Sequence, residues 1–225
     1  MISRRIALAL LGVSLIATPL QARKAPVLAP KPVLPVTVDM DPRHSPENVL
    51  LLDLSSGGRV AIRLMPEWAP NHVERIKTLT HEGFYNGVIF HRVIDGFMAQ
   101  TGDPTGTGQG GSKLPDLKAE FNAMPHLRGT VSMARTDNPD SANSQFFIVF
   151  YPRFALDRKY TVFGRVISGM DTVDRIERGE PPEHPTKILQ ASLASDNLPP
   201  PALPAPVAPA APVPTADQLS NSASQ

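Results

Sequence analysis

The feature that most limits the fold of this 225-residue sequence is a series of short apolar segments separated by turn residues. Residues 49–54 form one such run, the turn Ser55-Ser56-Gly57-Gly58 follows, and residues 59–64 alternate between polar and apolar. Two strands joined by a Gly-Gly turn are typical of a β-hairpin. Further segments of strand character lie at 88–93, 97–101, 130–134, 146–150, 161–167 and 188–193.

Only two segments repeat apolar residues with the period of a helix. Pro70, which suits the first turn of a helix, precedes apolar residues at every third position up to Leu79. A second helix is predicted to start at a capping box formed by Ser168 and Asp171 and to end at Gly179. Many short strands with two helices favour a β-barrel or a sandwich over a parallel α/β sheet. We predict a mainly β fold, an eight-stranded antiparallel β-barrel capped by two α-helices.

Both ends of the chain differ in composition from its middle. Arg4 and Arg5 precede an apolar run at 6–17, shorter than the roughly 20 residues of a membrane-spanning helix, and Leu20-Gln21-Ala22 fits a cleavage site. Residues 1–22 are therefore predicted to be a signal peptide, with the secretory or twin-arginine route left open. Residues 23–46 are a proline-rich linker, 47–196 the folded domain and 197–225 a disordered tail rich in proline and alanine. We expect an exported, periplasmic monomer with no membrane span after cleavage.

Several classes of function are excluded by composition and spacing. The chain contains no cysteine, which removes disulfides, thiol nucleophiles and cysteine metal sites. Its formal net charge of +1 offers no basic stripe for nucleic acid. Gly106, Gly108 and Gly111 match G-x-G-x-x-G, but Pro115 follows where a nucleotide-binding helix would grow. The histidines lack metal-ligand spacing, so we expect no metal, no cofactor and no nucleic-acid partner.

Residues 90–103, FHRVIDGFMAQTGD, closely resemble the central signature of the cyclophilins. Three further blocks stand in the order usual for that family, SMA at 132–134, SQFFI at 144–148 and VFG at 162–164. The resemblance extends from about residue 49 to about residue 193. It implies an eight-stranded barrel capped by two helices, in agreement with the strands and helices predicted above. It also implies peptidyl-prolyl cis/trans isomerase activity on proline-containing polypeptides, without a cofactor.

The resemblance also implies which residues form the active site. Arg92 and Gln100 match catalytic positions, Ala134 and Arg135 match the backbone stretch that lies against the substrate, and the pocket consists of Phe97, Met98, Phe147, Leu156 and Tyr160. Since neighbouring strand residues face opposite sides of a sheet, one ring of Phe146-Phe147 belongs to the core, and the resemblance assigns Phe147 to the pocket.

These residue types suit the chemistry of proline isomerisation. Resonance gives a peptide bond a rotation barrier of roughly 18–20 kcal/mol, and X-Pro bonds interconvert in tens to hundreds of seconds. As the bond twists, the proline nitrogen loses conjugation and gains a lone pair. A fixed guanidinium such as that of Arg92 can donate to this nitrogen, which stabilises the transition state more than the ground state. Gln100 is expected to bond the substrate backbone or to orient Arg92.

At three positions the chain departs from the family pattern. Family members often carry a tryptophan near the position of Leu156, where it contributes to cyclosporin binding, and this chain has none there. Tyr160 stands where many members have histidine, and Arg135 replaces a frequent asparagine.

Two hypotheses on function remain open. The protein is an enzyme that accelerates X-Pro isomerisation during the folding of exported proteins, or it is a periplasmic chaperone or adaptor that holds proline-containing segments with little turnover. The tail is interpreted as a spacer, with occupation of an active site by its own prolines as the alternative.

Overall fold

The computed structural model describes residues 37–202, and the predicted signal peptide lies outside this range together with 23–36 and 203–225. One antiparallel sheet of eight strands forms its framework, in the order β3-β4-β6-β5-β7-β2-β1-β8. In chain order the strands are β1 (Val49–Leu54), β2 (Arg59–Leu64), β3 (Arg92–Ile94), β4 (Met98–Thr101), β5 (Thr130–Met133), β6 (Phe146–Val149), β7 (Val162–Ser168) and β8 (Ile188–Leu193). The helices are α1 (Pro70–His81) and α2 (Met170–Asp174). The predicted fold of eight antiparallel strands and two helices is confirmed.

The two ends of the sheet are joined by a short run of backbone hydrogen bonds. The N–H of Gly87 donates to Ile188 O at 2.7 Å, and the N–H of Phe90 donates to Thr186 O at 2.9 Å. The sheet therefore curls towards a barrel, and residues just before β3 close it. The strand predicted over 88–93 is only partly correct, because 87–90 pair with the turn leading into β8 and regular strand begins at Arg92.

The sequence predicted the buried face of α1 correctly, but it predicted both ends of α2 wrongly. Along α1 the apolar residues Val73, Ile76 and Leu79 are buried against the core, as their spacing predicted. The capping box at the start of α2 is wrong, because Ser168 is still the last residue of β7. The turn into α2 is made instead by Gly169, whose φ of 82° is a conformation that glycine adopts readily. The predicted end of this helix is also wrong: α2 stops at Asp174, and Gly179 exchanges backbone hydrogen bonds with β3.

Contacts with the domain reach beyond both of its predicted boundaries. The buried guanidinium of Arg63 donates to the carbonyl oxygens of Asp39 and His44, at 3.1 and 2.6 Å, and so holds the segment before residue 47. At the other end Arg59 donates to the carbonyl oxygen of Leu198 at 3.1 Å. No helix between residues 37 and 202 combines the length and the apolar character needed to cross a membrane.

Candidate active site

The candidate site occupies one face of the sheet where β3, β4 and β6 lie side by side. Arg92 pairs with Gln100 across β3 and β4, and Gln100 pairs with Phe147 across β4 and β6. Directly opposed residues of an antiparallel pair project to the same face, so these three side chains form a row. Their strand neighbours project to the other face, where Val93, Ala99 and Phe146 are part of the main core.

An apolar cluster extends from this row. Met98, Phe147 and Val149 are its buried members, and the half-buried side chains that pack on them are Ile94, Phe97, Ala134, Leu156 and Tyr160. Every apolar residue predicted for the pocket, together with Tyr160, thus lies in one cluster separate from the main core. The guanidinium of Arg153 lies 5.0 Å from the centre of the Phe97 ring and covers it on one side.

The back of this cluster is supported by His126, which sequence reasoning missed. Its ring is fully buried, stacks on Phe147 at 6.2 Å between centroids, and meets Tyr160 edge to face. Its Nδ1 lies 2.9 Å from the carboxylate of Asp157, and its Nε2 lies 3.2 Å from Ser132 Oγ. Burial lowers the pKa of His126, against the opposing effect of Asp157. An imidazole with polar partners at both ring nitrogens holds the two pocket rings in place.

Arg92 forms an ion pair with Glu180, a residue that no sequence pattern indicated. Its Nε donates to the carboxylate of Glu180 at 2.7 Å, and the two side chains are 42% and 50% exposed. An ion pair this exposed adds only about 0.2–1 kcal/mol to stability. Glu180 follows α2 in the chain, far from the signature segment, so no local pattern could have linked it to Arg92.

Gln100 makes no hydrogen bond to Arg92 among the described residues. Its amide nitrogen donates to Gln145 Oε1 at 2.8 Å, and the amide nitrogen of Gln145 donates in turn to the carbonyl oxygens of Gly108 and Gly110. That Gln100 bonds the substrate backbone or orients Arg92 stays a prediction. Gln100 begins a hydrogen-bonded chain that ties β4 to the glycine loop.

The glycine loop is organised by a single buried carboxylate, that of Asp103. This carboxylate accepts hydrogen bonds from the N–H groups of Thr105, Gly108 and Gly110, at 2.8, 2.6 and 3.1 Å. Burial raises the pKa of Asp103, but the hydrogen bond from the Thr105 hydroxyl at 2.7 Å and these backbone hydrogen bonds outweigh it and leave the pKa at about 2. The Gly108 backbone has a φ of 82°, and a side chain at Gly110 would collide with the carboxylate. The loop's glycines thus serve this turn, and no helix follows them.

Beside the apolar cluster the same face carries a polar groove of about 630 Å³. Arg92 and Glu180 line one part of it, the glycine loop lines another, and Gln100 and Arg135 complete it. The Arg135 guanidinium lies 4.5 Å from the centre of the Tyr160 ring and donates to the carbonyl oxygen of Lys159 at 2.9 Å. The Arg135 side chain therefore links the two walls of the site, while the Ala134 N–H is bonded to Gln145 O.

The family follows from comparison of the sequence with known proteins. Residues 50–193, more than half of the chain, match the family model described as cyclophilin type peptidyl-prolyl cis-trans isomerase/CLD. The chain belongs to the cyclophilin family. Its activity is accordingly peptidyl-prolyl cis-trans isomerisation.

Relatives and solved structures agree with this cyclophilin assignment. A protein of Brucella suis named probable peptidyl-prolyl cis-trans isomerase is 51% identical over 167 residues, which cover 67% of this chain and 85% of the relative. The crystal structure of cyclophilin AquaCyp293 from Hirschia baltica superimposes with a TM-score of 0.63 at 33% identity, covering 68% of this chain and 76% of that one. A cyclophilin of Cryptosporidium parvum, crystallised in the presence of the dipeptide Ala-Pro, gives a TM-score of 0.60 at 28% identity, covering 64% and 98%.

Around Leu156, where this cyclophilin lacks a tryptophan, several side chains are exposed. Ala155 is exposed there, and the aromatic rings nearest to it in sequence, Tyr151 and Phe154, are 58% and 64% exposed. Phe121 is 41% exposed and lies 5.9 Å from the Arg135 guanidinium. None of these aromatic residues could be singled out from the sequence, because exposed rings carry no periodic signal.

The Asp103→Asn variant is expected to be less stable than the wild type at neutral pH, by an amount that shrinks as pH falls. Because the pKa of Asp103 is lowered from 3.8 to about 2, its ionised form contributes stability above pH 3.8 that is lost as the pH approaches 2. Urea unfolding at neutral pH and at about pH 4 and about pH 2.5 measures the difference in free energy of unfolding. A difference that stays constant over this range contradicts the assignment, and exposed Asp137→Asn is the matched control.

Proposed function

We propose that this cyclophilin accelerates X-Pro isomerisation during the folding of exported proteins, with Arg92 as its catalytic residue. The observation that carries the assignment of Arg92 is its place on β3, beside Gln100 and in the same cross-strand row as Phe147. A proline ring held on the apolar cluster would bring its nitrogen to the boundary between cluster and groove. Arg92 lines the groove at that boundary.

The proposed reaction uses the two terminal amino groups of the Arg92 guanidinium. Its Nε is bonded to Glu180, whereas its two terminal amino groups make no hydrogen bond to any residue between 37 and 202. A guanidinium is planar and stays charged at every physiological pH. A donor held in this way meets the lone pair that forms on the proline nitrogen only in the twisted state, which lowers the barrier rather than tightening binding.

The apolar cluster is the proposed seat of the proline ring. Phe97 and Leu156 are only partly buried, so they offer surface to a ligand, while Met98 and Phe147 form the floor. Stacking on His126 and contact with Tyr160 fix the orientation of the Phe147 ring. A pre-formed pocket needs little rearrangement on binding, which suits a catalyst that must hold one side of the peptide while the other turns.

The alternative function is a binding module that holds proline-containing segments with little turnover. The exposed rings of Tyr151 and Phe154 beside Leu156 favour it, because they add apolar surface outside the pocket. The proposal of a catalyst is preferred because such surface explains binding alone and gives no role to the free amino groups of Arg92.

We expect the Arg92→Ala variant to lose most of its isomerase activity while remaining folded. Loss of one preorganised donor costs about 10²–10³ in rate in other enzymes, and the ion pair it breaks adds little to stability. A protease-coupled assay with an Ala-Pro peptide measures kcat/KM. Arg128→Ala is the matched control, because Arg128 is also 42% exposed and paired with an aspartate, Asp174. Equal rates for wild type and Arg92→Ala would refute the catalytic assignment.

Export is tested by the mature N-terminus of the full chain. When it is produced in a bacterium with two membranes, we expect the protein in the periplasmic fraction with its chain beginning at Arg23, as the predicted cleavage after Ala22 requires. Mass spectrometry of the purified protein reads this end directly, and a variant without residues 1–22 is the control that stays in the cytoplasm. An intact N-terminus on cytoplasmic full-length protein would contradict the proposal.

A further inference from the structure

We propose that Glu180 is a positioning residue for the isomerase reaction, which holds the Arg92 guanidinium in the orientation that the transition state needs. The inference rests on the proposed catalytic role of Arg92. It assigns a function to the carboxylate that follows α2, to which the cyclophilin resemblance assigned none.

The hydrogen bond to Glu180 fixes the end of the Arg92 side chain, whose orientation strand β3 does not set. Strand β3 sets the position of the Arg92 backbone, but several rotatable bonds separate that backbone from the charge. Donation from Nε to Glu180 at 2.7 Å fixes the last of these bonds, and because the guanidinium is planar it also sets the directions of both terminal amino groups. No other hydrogen bond to the Arg92 side chain exists among residues 37–202.

Glu180 is itself held by the framework of the fold. The residue before it, Gly179, donates its N–H to Val93 O at 2.9 Å and accepts from the Val93 N–H at 2.8 Å. Val93 is the neighbour of Arg92 on β3, so the backbones that carry the two charges are bonded together directly. The carboxylate is therefore placed by the sheet edge, and it lines the same groove as Arg92.

Stabilisation of the fold does not account for the ion pair between Arg92 and Glu180. Both side chains are about half exposed, and so exposed an ion pair contributes little to stability. The carboxylate also reduces the net positive charge next to the reacting nitrogen, an effect that by itself would slow the reaction. The gain in rate from orienting the Arg92 guanidinium offsets this electrostatic loss. Because the two effects on the rate have opposite signs, substitutions of Glu180 can separate them.

The test compares Glu180→Ala, Glu180→Gln and Glu183→Ala in the full chain, with kcat and KM measured separately. Glu183 is an exposed acid in the same loop and serves as the matched control. We expect Glu180→Ala to lower kcat by roughly tenfold, less than the loss of the donor itself, with KM and thermal stability unchanged. Glu180→Gln keeps an acceptor oxygen and is expected to restore wild-type kcat, and Glu183→Ala to leave kcat unaltered.

A second comparison separates action through Arg92 from direct contact with the substrate. In the Arg92→Ala background, adding Glu180→Ala is expected to change kcat no further, because the positioned group is gone. The inference is overturned if Glu180→Ala has the kcat of the wild type, or if it slows Arg92→Ala by the same factor as it slows the wild type. If Arg92→Ala itself retains full activity, the catalytic assignment of Arg92 has failed, and this inference fails with it.

Discussion

Along each strand of this sheet, neighbouring side chains must project to opposite faces, and both the core and the site depend on that alternation. Phe146 and Phe147 are adjacent in β6, yet one ring is packed in the main core and the other belongs to the pocket cluster. On β4 the same rule buries Ala99 in the core and gives Met98 and Gln100 to the site. A slip of one residue in register would exchange the two faces, so stability of the core protects the geometry of the site.

The strands supply the row of functional side chains, and the loops around them supply its fixed orientation. Asp103 folds the glycine loop by accepting backbone hydrogen bonds, and Gln145 connects that loop to Gln100. Behind Phe147, the buried His126 ring is anchored by Asp157. In each case a polar group beside or behind the candidate site holds a side chain or loop of the site in place, a usual way in which a site is made rigid before binding.

Contacts within one strand or helix were predictable from sequence, whereas contacts between distant segments were not. The Gly-Gly turn after 49–54 and the period of α1 are local signals, so the hairpin and the helix were correctly placed. The alternation in 59–64 did not determine burial, because Ala61 and Arg63 are buried together with their apolar neighbours. The capping box failed because Ser168 remains in the sheet and Gly169 makes the turn. The pairing of Arg92 with Glu180 joins residues 88 positions apart, and only the closure of the sheet edge brings them together. The resemblance named the pocket residues, but their supports had no signal of their own.

Catalysis through the transition state, rather than through tighter binding, is the central claim for Arg92. Nuclear magnetic resonance exchange spectroscopy on a proline-containing peptide with excess enzyme measures the interconversion rate of the bound peptide and its dissociation constant in one experiment. We expect Arg92→Ala to slow interconversion on the enzyme by about 10²-fold or more and to leave the dissociation constant close to that of the wild type. Unchanged interconversion of the bound peptide with a weakened dissociation constant would contradict it.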